Sequence, residues 1–433
     1  MKGLIFTYLL TYGGAVASFF NPYIGLLIYV CFSIIRPESL WHWSVTPGSY
    51  SRVVALALFI GWAMHGFGNW NFGRSGVVVA AFVGYWVWTF VSATQAVDSD
   101  LSMVYVESLA KIVLPFVVGM TLIDSVQKLK LLAWVILLSQ GYVAYDFNVA
   151  YYGGFNRPTS EVGFGGMDNN CIAVAMVTGV GLALFMGFHA PVWWQKVLGL
   201  VAALLMAHVV MFAFSRGGML GLCITGFTAF LLIPKKPKHY LLFALVVAAA
   251  LRLAGPDVTK RFYTTFTDEK QRDASAQSRV ELWAVCWTLM QEHPVFGVGP
   301  SHFGRVVNRY GPFPHGKEAH TLWLQVGAEV GFPGLGLLLL FYGLCVVQLW
   351  PLTWERYPVL DPWHRYIARM VIASLAGFAV AAQFVSLQGL ELPYYITLLG
   401  AGVLKLASAS SPNQILIPYA NTYYRPQVPV PTY

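Results

Sequence analysis

Two arginines and one histidine have the side-chain chemistry that a reaction at an anionic group would use. Arg216 is followed by two glycines, which leave room for a ligand to approach the backbone. Its planar, permanently charged fork is well matched to phosphate, and Arg279 offers the same group. His320 can accept a proton from a hydroxyl near neutral pH. Each residue also has an interpretation without chemistry. Arg216 would be a boundary arginine that snorkels to the lipid headgroups, Arg279 a solvated charge on a helix, and His320 an interfacial histidine.

The segment between Arg279 and His320 begins with a helical pattern and continues through glycine and proline turns. An apolar stripe at helical spacing within residues 278–292 is formed by Val280, Trp283, Trp287 and Met290. This stripe predicts an amphipathic helix at the membrane face. Pro294 stops that helix, and Gly-x-Gly-Pro at residues 297–300 makes a tight turn. The turn lacks the strand–loop–helix context of a nucleotide site, so none is predicted.

Acidic residues supply further candidates. Glu329 follows His320 by nine residues, which is about 180° around a helix of 3.6 residues per turn. We therefore do not expect Glu329 to orient His320 directly. An acid within or beside the membrane is nevertheless a functional candidate, and Glu318 shares this region.

No motif predicts a metal or a cofactor. The spacing of Asp98-Ser99-Asp100 is one that metal-dependent enzymes use, but a solvated acidic loop is the interpretation we favour. No HExxH motif occurs. The five cysteines include no CxxC pair, and neither a disulfide framework nor a zinc site is predicted.

The elements that position these residues are predicted to be membrane helices. The chain has 433 residues, of which 57% are hydrophobic and 11% charged, whereas soluble domains carry about 25% charged residues. The net charge of +8 is spread among short loops, which argues against nucleic-acid binding. We predict an all-α integral membrane protein, with one polytopic domain at residues 1–407 and a disordered, polar, Pro-rich tail at 408–433.

Apolar runs predict about 12 or 13 transmembrane helices, because a span needs about 20 apolar residues and at least about 17. The runs cover roughly residues 4–20, 22–35, 53–68, 75–93, 105–123, 130–150, 168–188, 197–214, 217–233, 240–254, 332–350, 366–387 and 394–407. The first two are short and close together, so a hairpin or partial spans are alternatives.

The distribution of lysine and arginine in short loops predicts the orientation. One set of loops holds most of these residues and is predicted to be cytoplasmic; it contains Lys128, Lys130, Lys196, Lys235, Lys236, Lys238, Arg356 and Arg365. The alternate loops hold Arg157 and Arg216 beside several acids and are predicted to face outward. The long segment at about 255–320 then lies outside as well. Thirteen spans would also place Lys2 outside, against the same rule.

Taken together and in this order, the motifs resemble the O-antigen ligase/polymerase family of bacterial envelope glycosyltransferases. The resemblance covers roughly residues 150–405 and rests on Ser215-Arg216-Gly217-Gly218, Ser278-Arg279 with Trp283, Glu292-His293-Pro294 with Phe296-Gly297-Val298-Gly299-Pro300, His320 followed by Leu324-Gln325, Glu329, and Gly331-x-Pro333-Gly334. The residue after the histidine is Thr321, where the family usually has Asn or Ser. Asn21-Pro22-Tyr23 and Arg36-Pro37 are similar to a narrower subgroup, the exosortase-associated O-glycosylation ligases.

The resemblance implies a C-type glycosyltransferase fold and a site on the periplasmic side of the bacterial inner membrane. The donor would be an undecaprenyl-diphosphate-linked glycan, transferred without a required metal to a lipid, glycan or protein acceptor in lipopolysaccharide or exopolysaccharide assembly. His320 would be the catalytic base, and Arg216 and Arg279 would bind the departing diphosphate. Supporting positions would be Arg157, Asn169, Asn170, Arg305, Glu318 and Glu329.

Other interpretations stay open at this point. A polymerase that joins lipid-linked repeat units would need the same motifs as a ligase. A transporter of lipid-linked sugars is an alternative outside the enzymes, although the halves of the chain show no internal symmetry. The sugar, its linkage, the acceptor and the oligomeric state are not predicted by the sequence.

Overall fold

The structure, a computed structural model, describes residues 2–161, 163–237, 239–241, 244, 248, 274–387 and 389–409. Its secondary structure there is helical, apart from one isolated bridge between Phe164 and Met167. The main helices are α1 (Lys2–Phe20), α2 (Pro22–Ile35), α3 (Tyr50–Met64), α4 (Gly76–Gln95), α5 (Ser99–Leu122), α6 (Val126–Tyr152), α7 (Asn169–His189), α8 (Trp193–Phe212), α9 (Arg216–Leu232), α10 (Ala274–Glu292), α11 (Leu322–Leu349), α12 (Pro362–Ala381) and α13 (Leu392–Ala409).

Within the described residues, eight helices are long and apolar enough to cross a membrane. Three shorter apolar helices, α3, α9 and α13, accompany them. The prediction of an all-α integral membrane protein is therefore confirmed. Helix α6 coincides with the predicted span at 130–150 and has 27 residues, but it is not one of the eight. Its polar residues include Lys128, Lys130, Gln140, Asp146 and Asn148.

Two predicted regions fall largely outside what the structure describes. Most of the predicted span at 240–254 and the first part of the long outer segment, up to residue 273, are not described. The predicted tail begins inside α13, which extends to Ala409, and residues 410–433 lie outside the described part. The division into one domain and a tail stays a prediction.

Helix α7 is the central element of the bundle. It packs against α6, α8, α9 and α12 and buries most of its residues. Glycines make this packing close: a Cβ atom at Gly181 would lie 2.6 Å from Ser374 Oγ. Small residues allow this kind of approach between membrane helices. The close packing gives the N-terminus of α7, which carries Asn169 and Asn170, a fixed position relative to α9 and α12.

Helix α10 packs on α11 and forms a second, smaller core. The predicted helix at 278–292 is present as part of α10, and the placement of its apolar stripe at the membrane face stays a prediction. Val280 and Trp287 are 44% and 50% exposed, whereas Leu282, Cys286 and Leu289 are buried. The buried positions are three and four residues apart and pack on the loop that contains Phe303, so contact with that loop decides which face is inward.

Helix α11 is kinked at Gly331, which has a φ of 73°. A Cβ atom there would lie 2.1 Å from the carbonyl oxygen of Val295, so only glycine fits. The loop after α10 docks on this kink: the N–H groups of Val298 and Gly299 donate to the carbonyls of Ala328 and Glu329. The predicted Gly-x-Gly-Pro turn is therefore fastened to the membrane helix that follows it.

Candidate active site

The segment that follows α12 brings several of the predicted site residues together. Phe384, in the 3₁₀ turn Ala382–Phe384, lies beside the N-terminus of α9, because a Cβ atom at Gly217 would lie 2.7 Å from Phe384 Cβ. The Phe384 ring centre is also 6.0 Å from that of Trp283 on α10. One aromatic ring thus contacts the segment that carries Arg216 and the helix that carries Arg279.

Ser386 links the same segment to the predicted base. The backbone N–H of His320 donates to Ser386 Oγ over 2.9 Å, and Ser386 Oγ donates to Gln325 Oε1 over 2.5 Å. The carbonyl of Ser386 accepts from Cys171 Sγ at 3.6 Å. Segment 384–386 therefore contacts the N-terminal ends of α7, α9 and α11.

His320 occupies a left-handed backbone conformation, with a φ of 54°. Residues other than glycine rarely adopt this conformation, and at functional sites it is often maintained by surrounding contacts. Burial lowers the pKa of His320, and the positive charges of Arg279 and Lys317 lower it further, while Asp168 raises it. The charges of Arg279 and Asp168 thus act in opposite directions on the His320 pKa. The lowered pKa keeps His320 neutral and able to accept a proton near pH 7.

Arg216 is the first residue of α9, and its neighbour Ser215 caps that helix. Ser215 Oγ accepts from the N–H of Gly218 and donates to Asn170 Oδ1 over 2.8 Å. Asp168 caps α7 in the same way, accepting from the N–H of Cys171. The two adjoining helix N-termini carry partial positive charge, which favours an anion beside Arg216. The structure thus places Asn170 next to the Ser215–Gly218 motif.

Gln325 connects the predicted acids to this arrangement. Its amide Nε2 donates to Glu318 over 2.9 Å and to Glu329 over 3.2 Å. Glu329 also accepts from the backbone N–H groups of Ser301 and Phe303. The buried Glu329 side chain therefore fastens the 297–303 loop to α11, and its use as a supporting site residue stays a prediction.

The two additional arginines are engaged elsewhere. Arg157 forms a buried ion pair with Asp146 at 2.6 Å and donates to the carbonyl of Ser39. Arg305 pairs with Asp98 at 2.6 Å, nearer the surface. Their use as extra diphosphate ligands stays a prediction, and the geometry gives both a structural partner.

Asp98 is the N-cap of helix α5. Its side chain accepts from the N–H of Leu101 at the start of α5, and this bond together with Arg305 lowers its pKa. His302 is buried against the same helix, within hydrogen-bonding distance of Ser102 Oγ. Across the part of the chain that the structure describes, no three His, Cys, Asp or Glu residues are grouped as metal ligands would be.

Three residues of the site are not identified by the sequence prediction. Gln325 is part of the motif after His320, and that spacing is the signal that could have identified it. Phe384 and Ser386 carry no motif of their own. They join the site because the chain after α12 folds back over the N-termini of α9 and α11.

The comparisons with known proteins bear on the middle of the chain. A family model described as O-antigen ligase matches residues 201–339. The matched region runs from α8 into the second half of α11 and contains Arg216, Arg279 and His320. No curated protein matches the chain at a significant level. The narrower exosortase-associated subgroup stays a prediction, whereas the resemblance of this multi-pass membrane protein to the O-antigen ligase family is confirmed by the match over residues 201–339.

Proposed function

We propose that this protein transfers a glycan from an undecaprenyl-diphosphate carrier to an acceptor hydroxyl at the periplasmic face of the inner membrane. The acceptor oxygen bonds to the anomeric carbon, and the bond from that carbon to the carrier phosphate oxygen breaks. The acceptor proton passes to His320, and the diphosphate leaves with the electron pair. The observation that carries this proposal is the contact of segment 384–386 with the Arg216 motif, the Arg279 helix and the His320 backbone.

Positive groups beside His320 support a diphosphate leaving group. Arg279 acts on the His320 imidazole, and the adjoining N-termini of α7 and α9 add partial charge beside Arg216. Fixed positive groups of this kind stabilise charge as it develops on a leaving group. We assign diphosphate binding to both arginines.

Access from the bilayer is supported by the outer face of α10. Val280, next to Arg279, is exposed, and so is Trp287, whose ring centre lies 6.2 Å from that of Phe332. This apolar surface leads along α10 toward Arg279. An isoprenoid tail lying on it would keep its contacts with lipid while its diphosphate reached the guanidinium.

The same geometry serves a ligase and a polymerase, and we favour the ligase because the matched family is described as O-antigen ligase. The test uses the full chain in lipid nanodiscs with a carrier-linked glycan, with and without a second acceptor. A ligase consumes the donor only when the second acceptor is present. Elongation of carrier-linked glycan in its absence would establish the polymerase. In sealed vesicles, movement of intact donor across the bilayer without bond cleavage would establish a transporter.

We also propose that transfer requires no metal ion, because two guanidiniums and two helix N-termini supply the positive charge that a metal would otherwise bring. In the same nanodisc assay, EDTA is expected to leave the rate unchanged. A loss of activity that Mg²⁺ or Mn²⁺ restores would contradict this part of the proposal.

A further inference from the structure

A polar pocket of about 530 Å³ opens beside the N-terminus of α9. Its volume falls in the range of about 300–1,000 Å³ that is typical of small-ligand sites. Described residues 158–161, 163 and 166–169 line it together with Phe214, and the lining residues with polar or aromatic side chains are Thr159, Ser160, Glu161, Asp168, Asn169 and Phe214. It lies outside the set of residues assigned above to the diphosphate and the base.

Hydrogen bonds and an ion pair fix the segment that lines the pocket at several points. Its start is anchored by the buried Arg157–Asp146 ion pair, and the carbonyl of Gly165 accepts from Arg36. Phe164 and Met167 form a backbone bridge. The far end is held by Asn169, whose Nδ2 donates to the carbonyl of Ala213 over 2.8 Å. A wall held in this way gives a preformed site, which binds with less loss of conformational entropy.

Phe214 lines the pocket and has a backbone conformation that few aromatic residues adopt, with a φ of 53°. A bulky residue in the left-handed region is strained, and its presence there suggests a use for the ring. Aromatic rings have an apolar face, and the CH face of a sugar ring is also apolar. Carboxylate, amide and hydroxyl groups around such a ring can bind the sugar hydroxyls.

The pocket adjoins the chain segments that carry Arg216 and Asn170. Phe214 is two residues before Arg216, and Asp168 and Asn169 directly precede Asn170, which accepts from Ser215. A sugar bonded to a diphosphate at Arg216 would therefore be within reach of this pocket. The side chains that line it include Glu161 and Asp168 but no lysine or arginine.

We infer that this pocket is a carbohydrate subsite that takes the sugar next to the diphosphate, and that it accepts a neutral or N-acetylated hexose in preference to a uronic acid. The inference rests on the proposed function and extends it to the recognition of the donor. The two acids disfavour a sugar carboxylate by like-charge repulsion. Glu161, which is exposed at the rim, and Phe214 are the residues whose loss should affect the sugar and not the diphosphate.

The test measures dissociation constants for the full chain in nanodiscs. The probes are undecaprenyl diphosphate alone and the same carrier bearing one glucose, one N-acetylglucosamine or one glucuronic acid. We expect glucose or N-acetylglucosamine to improve binding about tenfold over the bare carrier, as one or two hydrogen bonds would. Glucuronic acid should give no improvement.

Variants then assign the improvement to this pocket. Phe214→Gly removes the ring and also relieves the strained backbone, and Glu161→Gln removes a charge without changing the shape. Both should reduce the gain from the sugar while leaving the affinity for the bare carrier within about twofold, a difference well under 1.4 kcal/mol. Glu107→Gln, an exposed acid on α5, is the matched control and should change neither affinity.

The outcomes separate the subsite from the proposed function. Equal binding of bare and sugar-bearing carriers, or a gain that survives both variants, would overturn the subsite and leave the proposed function standing. Tighter binding of glucuronic acid than of glucose would overturn the preference for neutral sugars. Failure of the wild-type chain to bind even the bare carrier would overturn the proposed function and the subsite with it.

Discussion

The backbone N–H of His320 donates a hydrogen bond of 2.9 Å to the side-chain oxygen of Ser386. These residues are 66 positions apart, and the bond fixes a histidine whose φ of 54° is unusual for its type. Ser386 is fixed in turn by Gln325, which is also bonded to Glu318 and Glu329. The position of the proposed base is therefore set by a chain of hydrogen bonds that reaches into α11.

Ser386→Ala should slow transfer by up to about tenfold, since it removes hydrogen bonds worth about 0.5–1.5 kcal/mol each. Ser386 is a positioning residue, so kcat should fall while KM for the carrier-linked donor and Tm stay close to the wild type. Ser386→Thr, which restores the hydroxyl, should recover most of the rate. Ser108→Ala removes an exposed serine hydroxyl from α5 and is the matched control. A drop in Tm that accounts for the lost activity would reduce Ser386 to a folding role.

The pH dependence of transfer should move in opposite directions in two variants. The pKa of His320 is lowered from its usual value of 6.5. The neutral form, which acts as the base, therefore predominates at pH 7. Activity should fall as the pH drops through the lowered pKa. Arg279→Gln removes a charge that lowers this pKa, so the acid limb of kcat should shift to higher pH. Asp168→Asn removes a charge that raises it, so the limb should shift to lower pH.

Asp168→Asn is a clean partner for this comparison because asparagine caps helices about as well as aspartate. The α7 cap and its bond to Cys171 should therefore persist. Unchanged acid limbs in both variants, measured on residual activity at saturating donor, would show that His320 is not the group that titrates.

Arg216→Ala should lower transfer by about 10²–10³-fold, the loss seen when one charge-stabilising donor is removed from an active site. Arg216→Lys keeps the charge but loses the planar fork, so its rate should be intermediate. Arg356→Ala is the control, an exposed arginine whose guanidinium lies over Trp354 in a loop predicted to be cytoplasmic. Equal activity of the alanine variant and the wild type would exclude Arg216 from the leaving-group site.

Glu329→Ala should lower stability rather than act on the chemistry. Its carboxylate accepts from Ser301, Phe303 and Gln325, and unsatisfied buried donors cost about 1–3 kcal/mol. Glu329→Gln keeps one acceptor oxygen, so its Tm should lie between those of the wild type and of Glu329→Ala. Tm in detergent or nanodiscs is the measurement, read with the rate per folded molecule. A folded, wild-type-stable Glu329→Ala protein that has lost transfer would instead indicate a chemical role.

The sequence predicts much of this arrangement because membrane helices and their caps are local features. Apolar runs indicate the helices, and Ser215 and Asp168 precede theirs as caps usually do. The motif order places Arg216, Arg279 and His320 in one region, and the charge of Arg279 acts on His320 in the structure. These inferences need only spacing along the chain.

Other features depend on contacts between distant segments, which spacing does not reveal. Ser386 joins the site only because the turn after α12 meets the start of α11. The loop around Phe303 decides which positions of α10 face inward, so spacing alone does not reveal that Leu282, Cys286 and Leu289 are the buried ones. Arg157 carries charge in a suitable stretch, but its partner Asp146 lies on another helix.

The most direct test of the central claim compares two properties of the His320→Ala variant in nanodiscs, on the same preparation. These are its rate of glycan transfer and its affinity for undecaprenyl diphosphate. A general base contributes about 10²–10⁴-fold to rate, so transfer should fall by that factor while carrier affinity and Tm stay near the wild type. Transfer at the wild-type rate by the folded variant would contradict the account, because it would remove His320 from the reaction.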